Sequence, residues 1–285
     1  MEKKPLVAIV LVNYNGYDDT VECVQSILQS DYPNYRIIIV DNASDDAPVL
    51  REDTFLNAHA DIVYSDTNDG FATGNNIGIR EAEALNPEYV FALNNDTVID
   101  RECISRLVNE LENNKKAAIA TGTIRYFDNP DSCWYCGGSY SRLTGRTHQN
   151  IYSKEPEKES LTVSFASGCA MMIRMSFLRE HGMFDESFFM YSEDTELCCR
   201  AIDADKEIRW VPGALIYHKA GKSITAGSIR QQYLIIRNSL IMLDRYGTHP
   251  GFGRLVWKAY CKYREIKGAY DREAVKKAFE DSRKQ

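Results

Sequence analysis

The sequence predicts an α/β protein with a mixed, mostly parallel sheet and helices on both faces. Three observations carry that prediction. Short β-branched runs alternate with segments of helical periodicity through the first half of the chain. Those runs are apolar throughout rather than alternating, as strands covered on both faces require. The connections between them are short, which suits βα units. At 285 residues, with 44% hydrophobic and 26% charged residues, the chain fits one large domain with a short appendage. Those values exclude a disordered or fibrous protein.

Val7–Val12 reads as the first strand, and a helix follows with Val21, Val24, Ile27 and Leu28 on one stripe. Arg36–Val40 and Asp61–Ser65 are the next strands, and Gly74–Leu85 a helix. Tyr89–Leu93 is a strand ending in Asn94-Asn95-Asp96. Asp100–Asn113 reads as a helix through Cys103, Leu107 and Leu111, and Ala117–Thr121 as another strand. Residues 125–160 have weak periodicity and suggest an irregular insertion or a strand pair with loops. Order returns at Val163–Ile173, in a helix over Glu193–Ala204, and at Ile208–Val211 and Ala214–Tyr217. A longer helix covers Ile229–Leu243, and a basic tail follows His249-Pro250-Gly251.

The net charge of −7 argues against a nucleic-acid binder. It is unevenly spread: Arg254 to the end carries ten Lys and Arg against five Asp and Glu, a local +5. No apolar stretch is long enough to span a membrane. The apolar run after Lys3-Lys4 leads into Asn13-Tyr14-Asn15 without a small-residue cleavage site, so a strand is expected there rather than a signal peptide. Eight scattered cysteines suit a reduced, cytoplasmic chain. Cys133 and Cys136 form a lone C-x-x-C; a redox pair or half a zinc site is conceivable, but nothing completes it, so a structural role is preferred.

Ligands of open α/β sheets sit outside the carboxyl ends of the strands. Four such ends are polar here: Asn13–Gly16, Asp41–Asp45, Asn68–Phe71 and Asn94–Asp96. One alone would be turn chemistry. Four in succession supply an aromatic face, carboxylates and amides around one cleft, which suits a nucleotide. Neither G-x-G-x-x-G nor a P-loop is present, so a diphosphate would need a metal. Asp96 is the best ligand and His218 a plausible second, with Mn²⁺ or Mg²⁺ the natural ion; alone, His218 would more often be structural.

In order, the blocks VAIVLVNYNG, IIIVDNAS, NDGFATGNNIG, FALNND, ASGCAMMIR, GMFDESFFMYSEDTELCCR and VPGALIYH resemble glycosyltransferase family 2, of the GT-A fold. The resemblance runs from about Val7 to His218 and is strongest toward the rhamnosyltransferase-like branch. It implies a Rossmann-like GT-A domain over residues 1–245. Residues 1–123 would form its nucleotide-binding half and 124–245 its acceptor-binding, catalytic half. Residues 246–285 would be a basic helical tail.

The resemblance also implies roles. Tyr14, with the backbone at Val12 and Asn13, would meet the nucleobase, which Asp41 and Asn42 would read. Asn68, Gly74 and Asn75 would line the donor pocket. Asn94-Asn95-Asp96 occupies the Asp-x-Asp position, with Asn95 on ribose and Asp96 on the metal beside His218. Ser167 and Gly168 would border the sugar and acceptor. Glu193-Asp194 matches the acidic pair, with Asp194 as general base, and Arg237 with Asn238 lies near the acceptor or diphosphate. Asn94 departs from the pattern by replacing a carboxylate, which weakens metal binding before the donor arrives.

The expected activity is therefore inverting, metal-dependent transfer of a sugar from dTDP-rhamnose or a UDP-sugar. The acceptor would be a surface polysaccharide or lipid-linked glycan. Two alternatives stand beside it. A sugar nucleotidyltransferase should carry a Gly-rich basic loop after the first strand, and Asn13–Asp19 has neither Lys nor Arg. A non-catalytic module would bind donor without turnover. A homodimer is possible. In the tail, Trp257, Tyr260, Tyr263 and Tyr270 lie among basic residues; they suit either peripheral membrane contact or packing onto the domain, and packing is favoured.

Overall fold

The computed structural model describes residues 4–149, 159–219 and 227–284. The first half runs β1 (Val7–Asn13), α1 (Tyr17–Leu28), β2 (Tyr35–Asn42), α2 (Ala47–Glu52), α3 (Thr54–His59), β3 (Asp61–Ser65), α4 (Phe71–Glu83), β4 (Tyr89–Asn94), β5 (Thr97–Ile99) and α5 (Cys103–Asn113). The second half runs β6 (Ala117–Tyr126), β7 (Cys133–Tyr135), β8 (Gly138–Ser141), β9 (Arg146–Gln149), β10 (Leu161–Val163), β11 (Ala170–Arg174), α6 (Met175–His181), α7 (Glu193–Asp203) and β12 (Glu207–His218). Three helices end the chain: α8 (Ile229–Tyr246), α9 (Pro250–Ile266) and α10 (Arg272–Asp281).

The main sheet has the order β10-β12-β6-β11-β4-β1-β2-β3, with β5 paired to β12 and β7 to β6. β1 is parallel to both β2 and β4. The chain moves outward through β2 and β3, then returns to lay β4 on the other side of β1. That reversal opens a crevice at the carboxyl ends of β1 and β4. β11 enters antiparallel between β4 and β6, so the second half of the sheet is mixed.

Several elements differ from the sequence expectation for local reasons. Ile208–Val211 and Ala214–Tyr217 are one strand, β12, with an irregularity in register between Val211 and Leu215. Pro212 and Gly213 bend that strand without ending it, and the Pro212 carbonyl accepts from Thr123 Oγ1 at 3.0 Å. α5 begins at Cys103 because Asp100 Oδ1 accepts from Glu102 N at 3.0 Å and holds the preceding residues in a turn. α2 and α3, of six residues each, are too short to show periodicity. The expected irregular insertion contains β7, β8 and β9; residues 150–158 of it lie outside the described residues. Cys133 and Cys136, for which the sequence favours a structural role over a redox pair or half a zinc site in a reduced chain, are joined in a disulfide. Strand β7 and the turn after it bring their Cα atoms to 6.2 Å, within bridging distance. The six free cysteines are all buried.

Alternate residues of the first strands serve opposite faces. Val7, Ile9, Leu11, Ile37 and Ile39 cluster with Cys23, Val24 and Ile27 of α1. Ala8, Ile38 and Val40 cluster with Ala82 of α4. α4 lies unusually close to the sheet, because Gly74 and Gly78 face it one turn apart. A Cβ on Gly74 would meet Val12 Cγ1 at 2.8 Å, and one on Gly78 would meet Val10 Cγ1 at 2.4 Å.

The tail helices pack on α8. Ile236, Leu240 and Leu243 form a small core with Trp257, Cys261, Val275 and Ala278. Trp257 is buried and donates from Nε1 to the Thr144 carbonyl at 2.8 Å. Tyr260 stacks edge-on against Tyr270, with centroids 6.0 Å apart. Of Trp257, Tyr260, Tyr263 and Tyr270, only Tyr263 is exposed.

Glycine inside a helix costs about 1 kcal/mol relative to alanine, so Gly78→Ala would stabilise an open site. Here the clash with two β-branched residues outweighs that gain, since overpacking costs about 1–3 kcal/mol. Gly78→Ala is therefore expected to lower the urea unfolding midpoint. An unchanged or higher midpoint would show that α4 can lift from the sheet freely.

Candidate active site

The polar strand ends form one hydrogen-bonded unit around a buried amide. Asn13 Nδ2 donates to Asp41 Oδ1 at 2.9 Å and to Ser44 Oγ at 3.1 Å. Its Oδ1 accepts from Thr20 Oγ1 at 3.0 Å, Gly16 N at 3.2 Å and Asn95 Nδ2 at 3.3 Å. Asp41 Oδ2 accepts from Ser44 N at 3.2 Å. Tyr14, one residue beyond this hub, is 46% exposed at the crevice rim. Asn42 donates to Asn68 Oδ1 at 2.9 Å and to the Gly70 carbonyl at 3.2 Å, and its own Oδ1 is buried without a hydrogen bond.

The other expected residues have mixed surroundings. Val12 is covered by Gly74, which provides close packing rather than a polar contact. Asn75 is buried and caps inside its own helix, donating to Phe71 O at 2.9 Å. Asn94 uses its backbone: its N–H donates to Cys169 O at 2.8 Å, and its carbonyl accepts from Thr97 Oγ1 at 2.7 Å. Asn95 Nδ2 also reaches Thr20 Oγ1 at 2.9 Å.

Across the crevice, Asp96 Oδ1 lies 3.2 Å from His218 Nε2, and both residues are buried. Asp96 Oδ1 has no hydrogen-bond partner apart from this imidazole. The edge of Trp134 stands on the His218 ring at a centroid distance of 4.9 Å. Burial disfavours charge on His218, but Cys169 and Asp96 beside it outweigh this and raise its pKa to about 11. Next to His218, Lys219 Nζ pairs with Asp19 at 2.6 Å and with Glu22. A cleft of about 340 Å³ opens here, lined by Tyr126, Phe127, Asp128, Asn129, His218 and Lys219. Another, of about 360 Å³, lies at the start of β2, the opposite end from the polar strand ends, and takes no part in the site.

The acidic pair sits at the start of α7. Asp194 Oδ2 accepts from Gly168 N at 2.9 Å, and its Oδ1 accepts from Thr195 N at 2.6 Å and Thr195 Oγ1 at 3.1 Å. Ser167 is buried on the same segment, and its Oγ accepts from Cys169 N at 3.3 Å. Glu193 is buried, with Oε2 unpaired. Burial and the adjacent Asp194 push the Glu193 carboxyl well above the ordinary range. Burial also raises Asp194, against the three hydrogen bonds that favour its charged form. Side by side and buried, the two carboxyls both hold a proton more readily than free ones, the more so at Glu193.

Backbone strain marks the approach to this pair. Tyr191 and Ser192 have φ of 70° and 75°, rare for side-chain-bearing residues. Two clamps hold the preceding loop. Asn238 of α8, fully buried, donates to Met190 O at 2.9 Å and Tyr191 O at 2.7 Å, while Arg237 donates to Asn238 Oδ1 at 2.7 Å. Asn76 of α4 donates to Phe184 O at 2.8 Å and accepts from Phe184 N at 3.0 Å. Gly70 is needed at the same place: its φ is 96°, and a Cβ there would lie 2.0 Å from Phe189 O. Sequence reading missed Asn76, Trp134, Lys219 and the strained turn. For Asn76, its place inside the NDGFATGNNIG block was the available signal; nothing in sequence spacing marked the others.

A family model described as glycosyl transferase family 2 matches residues 8–182. The chain belongs to glycosyl transferase family 2. Asp194 and His218 lie beyond the matched span. The chain is 30% identical over 206 residues to the low-salt glycan biosynthesis hexosyltransferase Agl10 of Haloferax volcanii, covering 68% of this chain and 61% of that protein. It is 25% identical over 227 residues to the rhamnosyltransferase WbbL of Escherichia coli K12, covering 75% of this chain and 84% of that protein. Its fold is similar to the crystal structure of GalNAc-T7 with UDP, GalNAc and Mn²⁺, with a TM-score of 0.73 over 99% of this chain and 55% of that one, at 15% identity. That likeness speaks for the GT-A fold.

The raised Glu193 pKa has a sign that can be checked. The unfolded chain ionises Glu193 at about pH 4.3, whereas the folded protein keeps the proton to higher pH. Its contribution to stability is full below the unfolded pKa and is lost as pH rises through the folded one. Glu193→Gln cannot ionise and escapes that loss. Its stability relative to wild type is expected to improve as pH rises above about 4 in urea titrations. A difference that stays constant over this range would place the proton elsewhere.

Proposed function

We propose that this chain transfers a glycosyl group from a nucleotide-sugar donor to a hydroxyl of a glycan acceptor, with inversion at the anomeric carbon. The observation that carries the reading is the short segment Gly168-Cys169. Gly168 N–H holds Asp194, and the Cys169 side chain lies against His218, which faces Asp96. An acid suited to proton abstraction and a pair suited to a cation therefore flank one stretch of backbone.

Tyr14 would cover the nucleobase and Asp41 and Asn42 would bound it, with Asn68, Gly74, Asn75 and Asn95 around the donor. Ser167 and Gly168 would line the sugar. Family membership and the relatives that act as hexosyl- and rhamnosyltransferases support dTDP-rhamnose or a UDP-sugar as donor. The acceptor would be a polysaccharide or lipid-linked glycan. Sugar nucleotides and the six buried free thiols suit a cytoplasmic setting, against which the Cys133–Cys136 disulfide stands.

A divalent ion, Mn²⁺ or Mg²⁺, fits the residues present. Asp96 Oδ1 is a buried carboxylate oxygen that His218 Nε2 faces at 3.2 Å, and the imidazole would have to give up its proton to serve as a ligand beside it. Among the described residues no cluster of three or more His, Cys, Asp or Glu could hold a metal, so phosphate and water oxygens would complete the shell. When bound, the ion supplies charge neutralisation to the departing diphosphate. The chain's own residues do the rest. Asp194 takes the proton of the acceptor hydroxyl as its oxygen bonds to the anomeric carbon. The bond from that carbon to the diphosphate oxygen breaks, and the electron pair leaves with the nucleoside diphosphate. A proton held on buried Glu193 would leave the negative charge of the pair on Asp194, the reacting carboxylate.

A panel of nucleotide sugars assayed for transfer and for slow hydrolysis, with Mn²⁺ present, tests this reading. Asp194→Asn preserves an acceptor for Gly168 N–H but removes the base. It is expected to bind the donor with unchanged affinity and to turn over about 10²–10⁴-fold more slowly. A folded Asp194→Asn protein of near-normal turnover would reject the base assignment.

A further inference from the structure

Helix α9 turns an apolar stripe outward. Phe252, Leu255, Tyr263 and Ile266 are 53%, 66%, 56% and 72% exposed. At 100° per residue they fall on one narrow face, with exposed Ala259 between them. The inward face is already satisfied by Gly253, Trp257 and Cys261, all buried. The stripe therefore has no role in the core, and leaving it in water forgoes the burial that large apolar side chains ordinarily gain. Lysines frame it: Lys258 and Lys262 on one flank and Lys267 on the other, all exposed. Glu265, the acidic residue of this helix, is mostly buried and lies 3.6 Å from Lys262.

We infer that this face of α9 docks on an anionic lipid surface. The charge pattern selects that occupant. An interfacial helix needs an apolar strip that enters the acyl boundary and basic residues that reach the headgroups, and α9 supplies both. A second copy of the chain packed on the same face would bring its lysines against these lysines, which is repulsive. Among the described residues no helix is long and apolar enough to cross a membrane, so the contact is one of lying on the surface rather than spanning it. Of the aromatic residues expected from composition, Tyr263 alone belongs to this surface. Trp257, Tyr260 and Tyr270 hold the tail to α8 and to one another, and the surface is Phe252, Leu255, Tyr263 and Ile266 instead.

Co-sedimentation of the full-length protein with phosphatidylglycerol vesicles and with phosphatidylcholine vesicles tests the inference. Binding is expected to phosphatidylglycerol alone at low salt and is expected to fall steeply by about 0.5 M salt, where charge attraction is screened. The double variant Leu255→Glu with Ile266→Glu should lose at least about tenfold in vesicle affinity. Lys258→Glu with Lys262→Glu should weaken binding while leaving the apolar stripe intact. Both variants should keep the wild-type unfolding midpoint, because these side chains are exposed. Absence of vesicle binding by the wild type overturns the inference, as does binding that survives the Leu255/Ile266 change. So does light scattering that finds a dimer which that change dissociates, since the face would then belong to a second copy.

Discussion

The buried amide of Asn13 is the constraint on which the rest of the site depends. It joins the end of β1 to Asp41 of β2, to Thr20 of α1 and to Asn95 after β4. An amide in this position can satisfy donors and acceptors at once, and a buried polar group left unpaired would cost about 1–3 kcal/mol. Three strand ends that would otherwise be independent loops become one unit. Tyr14 leaves this unit toward solvent, and Asp96 leaves it toward His218. Both sides of the crevice thus take their positions from a side chain that is itself fully buried.

The acidic pair has its own anchor. The turn before Glu193 contains two consecutive residues in the left-handed region, which the chain would not adopt unaided. Asn238, Asn76 and the close approach at Gly70 hold that loop from two different helices. Strain of this kind fixes the first turn of α7, and with it the carboxylate of Asp194 against Gly168. α8 also bears the tail helices, so the strained turn and the tail share one support.

The first half of the fold was legible because its strands are apolar on both faces and its helices carry a clear stripe. The polar strand ends were legible for the same reason: Asn, Asp and Gly stand out directly after β-branched runs. The mixed half was harder. β12 reads as two strands because Pro212 and Gly213 look like a turn, whereas the bend is absorbed within a continuous ladder. The pairing of Asp96 with His218 joins residues far apart in sequence through β5 and β12; their strand-end positions named both as candidate ligands, and the family resemblance strengthened the reading. Trp134 was masked by its cysteines, which drew attention to sulfur chemistry rather than to the ring between them. Composition identified the tail as basic and aromatic but could not tell which rings face inward, because that depends on the rotation of α9 against α8.

The central claim is that the strand-end unit and the Asp96–His218 pair together bind a nucleoside diphosphate. Calorimetric titration of UDP, dTDP and GDP into the protein, with Mn²⁺ and with EDTA, tests it most directly. One of these nucleotides should bind with Mn²⁺ present, with affinity falling at least about tenfold in EDTA. If none binds at millimolar concentration with Mn²⁺, or if the best one binds equally well in EDTA, the crevice does not hold a metal-bridged diphosphate.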